Sequence, residues 1–298
     1  MVDFGAEKSF SHAAQSVREH YGLEGSVGRV RRDSLRHGAL LGAMTVEAPK
    51  QSAGTVVTQL DGSMIPIVNI SEQGPDRRKN KERLWREARL CLAREKQSAT
   101  PVYGATLGSV GVAGELWRQT AQAAGVGPKT QVHGVGDGAD WITTQFHEQL
   151  GDKGNYLLDF WHVSEYLAGA ATVIQPKKST QWRHRQQGWL LENKSAKVLR
   201  ALAAHLEPEH QKEAPVRTAH RYLSERLHQL DYAAARAADL PIGSGEVEGG
   251  HRHVIQERLK LTGCWWKQPN AEAMLGLRVA RANGLWNSYW KNCLAQLN

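Results

Sequence analysis

The chain has little cysteine and no long apolar run, and each of these features excludes some classes of protein. Its 298 residues include only three cysteines, whose wide separation fits neither a zinc-binding spacing nor a disulfide framework. No stretch approaches the roughly 18 apolar residues of a membrane helix, and the first residues lack the apolar core of a signal peptide. We therefore expect a cytoplasmic protein with no membrane partner.

Acidic residues are outnumbered as well. The chain has 38 Lys and Arg against 30 Asp and Glu, which gives a formal net charge of +8. This balance permits a polyanionic partner such as nucleic acid without requiring one. Ten tryptophans stand beside seven tyrosines and four phenylalanines. Tryptophan packs protein cores, and it also stacks on unpaired bases, so both roles stay open.

The first fifty residues have helical spacing of apolar side chains with a break at Gly22–Ser26. Two short helices around a glycine-containing turn resemble a helix-turn-helix. Arg29, Arg31 and Arg32 would then lie on the second helix, where they can contact phosphates. A helical hairpin with a solvated basic face explains the pattern equally well.

An α/β pattern begins after Lys50. The runs TVVTQLDG and MIPIVNI predict two strands joined by a hairpin at Asp61-Gly62, and REARLCLAR predicts a third. A helix over 108–125 follows. Strands are then predicted at 131–137 and 155–160, and each leads into a helix.

Residues 174–240 contain no strand-like run and predict an all-helical insertion in the α/β unit. The Gly243-Ser244-Gly245 triplet ends that insertion and leads into a basic helix. Together the elements predict an α/β fold with a mixed five-stranded sheet.

Three acids stand where such folds place ligands. Asp61 and Asp137 follow predicted strands, and Glu248 opens the helix after the insertion. Converging carboxylates suit hard cations such as Mg²⁺, and two such ions can assist phosphoryl displacement. Asp-Gly is also a common turn dipeptide, and acids favour helix starts, so a purely structural role explains each acid as well.

Helix geometry separates Glu248 from its neighbour Glu246. Two residues on a helix differ by roughly 200° in direction, so both cannot face one site. Glu248 shares its face with Ile255 and Leu259, whereas Glu246 shares a face that looks open. We therefore predict Glu248 as the inward carboxylate.

Three runs taken together, GDGADW, LLDFWHVSEYL and IGSGEVEGG with the following QERLK, closely resemble bacterial insertion-sequence transposases of the ISKra-type family. The resemblance covers the chain from about Val56 onward. It implies an RNase H-like fold with a catalytic triad at Asp61, Asp137 and Glu248. It further implies a D-x-x-H pair at Asp159 and His162, with the histidine near the scissile phosphate, although a histidine capping a strand-to-helix turn is an equal reading.

The resemblance also implies the cofactor and the partners. Two Mg²⁺ ions, replaceable by Mn²⁺, would serve DNA cleavage at element ends and strand transfer into target DNA. The partners would be double-stranded DNA and further copies of the chain, in a nucleoid-associated protein. Candidate DNA-contacting residues are Arg183, Arg185, Arg252, Arg258 and Lys260, and candidate base-stacking residues are Trp182, Trp189, Trp265 and Trp266.

The predicted organisation is a helix-turn-helix-like segment over 1–50 and an RNase H-like catalytic domain over 51–298. Family members have a fuller N-terminal DNA-binding region, so a shortened copy or one frame of a split element is expected. Two alternatives stay open. One is an RNase H-like nuclease without strand transfer, and the other is an element-derived DNA-binding protein that no longer catalyses.

Overall fold

The computed structural model describes residues 1–70, 80–151 and 154–295. In chain order the elements are α1 (Val2–Glu7), α2 (Phe10–Tyr21), α3 (Val27–Gly42), β1 (Thr55–Ile70), β2 (Lys81–Glu95), β3 (Val102–Thr106), α4 (Val110–Ala123), β4 (Gln131–Gly136), α5 (Asp140–Leu150), β5 (Gly154–Leu158), α6 (Phe160–Ile174), α7 (Ser179–Leu191), α8 (Ser195–Ala203), α9 (Pro215–Ser224), α10 (Tyr232–Ala237), α11 (Gly245–Gly250), α12 (Glu257–Leu259), α13 (Gln268–Ala282) and α14 (Trp286–Ala295). A π-helical turn, His251–Gln256, joins α11 to α12. No helix within these ranges has the length and apolarity needed to cross a lipid bilayer.

The strands form one five-stranded sheet in the order β3-β2-β1-β4-β5. β2 and β3 run antiparallel, with Cys91 opposite Gly104. β4 and β5 run parallel, with Val135 opposite Leu157. The predicted fold class, an α/β protein with a mixed five-stranded sheet, is confirmed, and its RNase H-like character stays a prediction.

The prediction of two separate strands before and after Asp61-Gly62 was wrong. β1 runs without interruption through Asp61-Gly62, where the sequence predicted a hairpin, so Asp61 lies inside a strand. The Lys96 N–H donates to the Thr55 carbonyl at 3.0 Å, beside the start of β1. At the other end of the strand, Asn69 donates to the Glu82 carboxylate at 3.2 Å. β1 therefore pairs antiparallel with β2 along its length.

Packing against β2 overrides the local turn preference of the Asp-Gly pair, because the apolar residues on either side of it are buried in the sheet. A Cβ added at Gly62 would lie 2.1 Å from the Glu87 carboxylate, so the flexible end of that side chain would have to move aside. The first two predicted strands form the single strand β1, and the short strand β3 was not predicted.

The chain divides into two compact units. Unit 1 comprises Met1–Val56, Leu60–Thr130 and Glu246–Asn298, and unit 2 comprises Val57–Gln59 and Gln131–Gly245. The two helices predicted in the first fifty residues are α2 and α3, and they belong to unit 1. The boundary at residue 50 and the DNA-binding role of the segment stay predictions.

Close backbone contact between α3 and α13 is a main feature of unit 1. A Cβ added at Gly276 would lie 2.7 Å from the Gly42 Cα and 2.8 Å from the Gly38 carbonyl oxygen. A Cβ added at Gly38 would lie 2.3 Å from the Ala273 carbonyl oxygen. The obstructing atoms are backbone, which cannot move aside as a flexible side chain can, so these glycines permit the helices to touch.

We expect Gly276→Ala to lower the free energy of unfolding by about 1–3 kcal/mol, because the added methyl group forces the two helices apart. Gly111→Ala is the matched control, since Gly111 also lies in a helix of unit 1 but has nothing within 4 Å of an added Cβ. There the same change should be neutral or stabilise by up to about 1 kcal/mol. Chemical denaturation of both variants checks the pair, and equal effects would contradict the close contact.

The helical insertion predicted over 174–240 is present as α7 to α10 within unit 2. Its apolar side chains share one hydrophobic cluster with α6 and β5; the fully buried members include Leu158, Leu167, Val198, Leu202 and Val216. The N-terminal end of α6 adjoins the end of β5, so the cluster fixes the position of the residues between them.

Candidate active site

Asp61 lies beside a buried histidine in unit 1. The Gly62 N–H donates to Asp61 Oδ1 at 2.7 Å, and His251 Nε2 lies 3.4 Å from Asp61 Oδ2. His251 is 3% exposed, and neither of its ring nitrogens makes a hydrogen bond of good geometry. Burial is the main cause that lowers the pKa of His251 to about 4, so the ring is neutral at neutral pH. Sequence reasoning did not identify His251 as a neighbour of Asp61.

The exposure of the two glutamates of α11 is the reverse of the prediction. Glu246 is half-buried and receives two hydrogen bonds from the Arg94 guanidinium, at 2.6 and 2.7 Å. Glu248 is exposed and has no hydrogen-bond partner among the described residues. The prediction assumed that Glu248 and Ile255 share one face of a regular α-helix. The π-helical turn after Gly250 uses i→i+5 hydrogen bonds, which change the spacing between these two residues.

The choice of Glu248 now has a different reason. Its oxygens are available to a ligand, whereas those of Glu246 bind Arg94 and raise the pKa of that guanidinium. The role of Glu248 as a metal ligand stays a prediction.

In unit 2, side chains from the helical insertion hold the turn at Asp137. The Tyr222 hydroxyl donates to the Asp137 carbonyl oxygen at 2.5 Å, and Arg226 Nε donates to the Gly138 carbonyl oxygen at 3.0 Å. Gly138 has φ +73°, a conformation that glycine adopts without strain. Asp137 Oδ1 accepts from the Ala139 N–H at 2.9 Å, and Oδ2 accepts no hydrogen bond from a described residue.

Aromatic rings extend from this turn to His162. Arg226 lies 4.7 Å from the ring centre of Tyr222, which stacks on Tyr166 at 4.0 Å. His162 approaches the same two rings edge-on, at 5.5 and 6.1 Å. Burial raises the pKa of Tyr222 well above its usual value, so its hydroxyl stays protonated and remains a donor. Sequence reasoning missed Tyr222 and Arg226, although their i, i+4 spacing was a signal that they share a face.

Asp159 acts as a clamp between the start of α6 and the glycine-bracketed turn. It is 2% exposed. Its Oδ1 accepts from the backbone N–H groups of Trp161 and His162 at 2.6 and 3.1 Å, which makes it the N-cap of α6. Its Oδ2 accepts from the backbone N–H of Ser244 at 2.6 Å and from the Ser244 hydroxyl. Since both oxygens are occupied, Asp159 positions Gly245, the first residue of the helix that carries Glu248.

The predicted DNA-contacting residues differ in exposure. Arg258 is the exception to the predicted surface set, because it is 1% exposed and cannot meet a DNA duplex at the surface. The basic side chains that are exposed are Arg29, Arg31, Arg32, Arg185, Arg252 and Lys260, while Arg183 is half-buried. Of the candidate stacking residues, Trp182 and Trp266 are buried, Trp189 is half-buried and Trp265 is exposed.

The family of the chain follows from comparison with known sequences. The model of the uncharacterised protein family UPF0236 matches residues 126–291, more than half of the chain. The chain belongs to the UPF0236 family. The matched range contains Asp137, Asp159, His162 and Glu248, and Asp61 precedes it.

One curated relative of this UPF0236 chain is the "UPF0236 protein in vanSb 3′region" of Streptococcus gallolyticus. It is 28% identical over 157 residues, which cover 52% of this chain and 34% of the relative. The chain therefore matches about a third of the length of that relative.

Among solved structures, the UPF0236 chain is similar to the Drosophila P element transposase in a strand transfer complex. The TM-score is 0.33 and the identity 9%, over 98% of this chain and 79% of the other. A likeness at this score supports no inference about fold or function.

The available donor atoms of the UPF0236 chain suit a hard cation. Asp137 and Glu248 keep carboxylate oxygens that no described residue engages, and Asp61 is a third oxygen donor on β1. Asp61 and Glu248 belong to unit 1, and Asp137 to unit 2. Among the described residues, the histidine, cysteine and acidic side chains include no group of three or more placed to hold a metal ion.

Proposed function

We propose that this UPF0236 protein is a DNA transposase of an insertion sequence, similar to the ISKra type, that cleaves element ends and joins them to target DNA. The observation that carries the proposal is the turn at Asp137. Its carboxylate follows the buried strand β4 with one oxygen unengaged, and two side chains of the insertion hold its backbone. These bonds satisfy the carbonyl groups of the turn, and they also hold Asp137 in place, as a ligand-binding acid requires.

In this proposal Asp61, Asp137 and Glu248 would hold the divalent ions, Mg²⁺ or Mn²⁺. The ions would stabilise the attacking and leaving oxygens of an in-line displacement at phosphorus. The protein holds Asp137 through Tyr222 and Arg226. His162, half-exposed beside its tyrosines, would donate to a phosphate oxygen.

DNA would reach the protein through its exposed basic side chains, which contact phosphates without reading sequence. Two element ends must be held for transposition, so a homo-oligomer on double-stranded DNA belongs to the same proposal. The formal charge of +8 and the exposed arginines of α3 support a polyanionic partner.

Cleavage of an oligonucleotide that carries the element end tests the proposal. We expect cleavage with Mg²⁺ or Mn²⁺ and none with EDTA. Glu248→Gln should lower the rate by about 100-fold or more, because an amide is a weaker cation ligand than a carboxylate. Glu209→Gln is the matched control, since Glu209 is equally exposed but lies in the helical insertion, and it should leave the rate unchanged.

The products separate the proposal from its nearest alternative. Joining of the cleaved end to a target plasmid supports transposition, whereas cleavage without joining indicates an RNase H-like nuclease. Binding of DNA with no cleavage under any metal would instead support a catalytically silent DNA-binding protein and contradict the proposed enzyme.

A further inference from the structure

A cleft in unit 1, apart from the residues proposed for catalysis, is lined by positive charge and aromatic rings. Its volume is about 660 Å³, within the range of ligand-binding sites. Its walls come from α2, α3, the last residues of β1, the first residues of β2 and the segment 263–270. Its described lining includes no acidic residue but five basic ones: Arg31, Lys81, Arg83, Arg258 and Lys267. We call this the basic cleft.

The buried guanidinium of Arg258 is the feature of the basic cleft that most favours binding of an anion. Arg258 Nε donates to the Gly5 carbonyl oxygen at 2.9 Å, and the guanidinium lies 4.6 Å and 4.9 Å from the rings of Phe10 and Trp266. Its Nη2 is buried and has no hydrogen-bond partner among the described residues. Among the described residues no carboxylate forms a salt bridge with Arg258, and an anion entering the cleft would supply an acceptor for Nη2.

Tryptophans at the rim of the basic cleft offer a flat surface beside these charges. The Val68 N–H donates to the Trp266 carbonyl oxygen at 2.8 Å, so this segment pairs with β1 as an extended chain. Because successive side chains of extended backbone point to opposite sides, Trp266 is buried while Trp265 is 37% exposed. The Trp265 ring lies 6.0 Å from Trp85, which is 55% exposed, and Arg83 lies 5.6 Å from the Trp265 ring centre.

We propose that the basic cleft binds an unpaired DNA strand, with a phosphate directed toward Arg258 and a base stacked on Trp265. Phosphate-binding cations interleaved with aromatic rings are the usual recognition elements for single strands. An unpaired strand fits better than a duplex, because the bases of a duplex already stack on one another. A guanidinium that is 1% exposed also cannot reach a duplex backbone outside the cleft. The choice of DNA rests on the proposed function, since cleavage at an element end releases such strands.

Strand binding can be measured without catalysis. The full chain is titrated in EDTA against a fluorescently labelled oligo(dT) and, separately, against a hairpin duplex that carries the same label. We expect Trp265→Ala to weaken oligo(dT) binding by about 5- to 150-fold, because stacking of one base is lost. Trp265→Phe should recover most of that loss, and duplex binding should change little in either variant.

The charges of the basic cleft are tested by salt dependence. Removing one phosphate contact lowers the slope of log K against log salt concentration by about 0.7 for a single strand. We expect this change for Lys267→Gln. The matched control is Lys197→Gln, because Lys197 also lies beside a tryptophan, at 5.8 Å from the Trp189 ring, but belongs to unit 2. It should leave the slope unchanged.

Two results would overturn the basic cleft as a strand-binding site. One is oligo(dT) binding by Trp265→Ala at the strength of the unaltered chain, and the other is equal competition by the duplex. Neither result bears on cleavage, since EDTA removes the metal. Conversely, normal oligo(dT) binding by a protein that never cleaves DNA would support the basic cleft as a strand-binding site and contradict the proposed transposase function.

Discussion

Asp137→Asn is expected to lose cleavage of an element-end oligonucleotide by roughly 100- to 1,000-fold. A metal-binding carboxylate contributes several kcal/mol to charge stabilisation in the transition state, and each 1.36 kcal/mol is a factor of ten in rate. Asparagine has the same shape, and its carbonyl oxygen can still accept from the Ala139 N–H. The fold should therefore be kept while the carboxylate is lost.

The comparison for Asp137→Asn needs a readout of folding beside the rate. Thermal unfolding should shift by no more than the exposed control Glu209→Gln, and binding of the duplex should remain. Cleavage at the unaltered rate by a folded Asp137→Asn protein would contradict the proposed catalytic role of Asp137 and leave its turn as a structural feature alone.

Asp159→Ala is expected to lower the free energy of unfolding by about 2–4 kcal/mol. Loss of an N-cap costs about 1 kcal/mol, and the buried N–H and hydroxyl of Ser244 would lose their acceptor as well. The control is Asp231→Ala, since Asp231 caps α10 through the Ala234 N–H but is exposed. That variant should lose only about 1 kcal/mol.

A double-mutant cycle identifies the partner of Asp159. Ser244→Ala alone and together with Asp159→Ala should show a coupling of about 0.5–3 kcal/mol in chemical denaturation, because the two side chains share a buried hydrogen bond. Strictly additive effects, or equal losses for Asp159→Ala and Asp231→Ala, would contradict the clamp between α6 and the turn.

Much of the fold could be predicted from the spacing of apolar residues. The strands β4 and β5, the helices around them and the all-helical insertion follow from patterns that local sequence carries. The hairpin predicted at Asp61-Gly62 was wrong for a reason that the local sequence does not contain. Its turn preference is real, but burial of the flanking residues against β2 decides the conformation.

The acids of the candidate site stay predictions, and the side chains around them could not be predicted from the sequence. Resemblance named Asp137 and Glu248, yet the reason given for Glu248 was wrong, because a π-helical turn cannot be read from apolar spacing. The contact of Tyr222 with Asp137 joins residues 85 positions apart, as does that of Ser244 with Asp159. Partners so distant in the chain appear only when the fold is known.

Iron-directed cleavage of the protein backbone tests the central proposal that Asp61, Asp137 and Glu248 would hold the same ions. With Fe²⁺ in place of Mg²⁺, ascorbate and peroxide generate radicals at the bound metal that cut the nearest backbone. We predict fragments that end near all three positions, each suppressed by excess Mg²⁺ and each lost together in Asp137→Asn. Cuts at one of these positions alone, or cuts that persist in Asp137→Asn, would contradict the shared site.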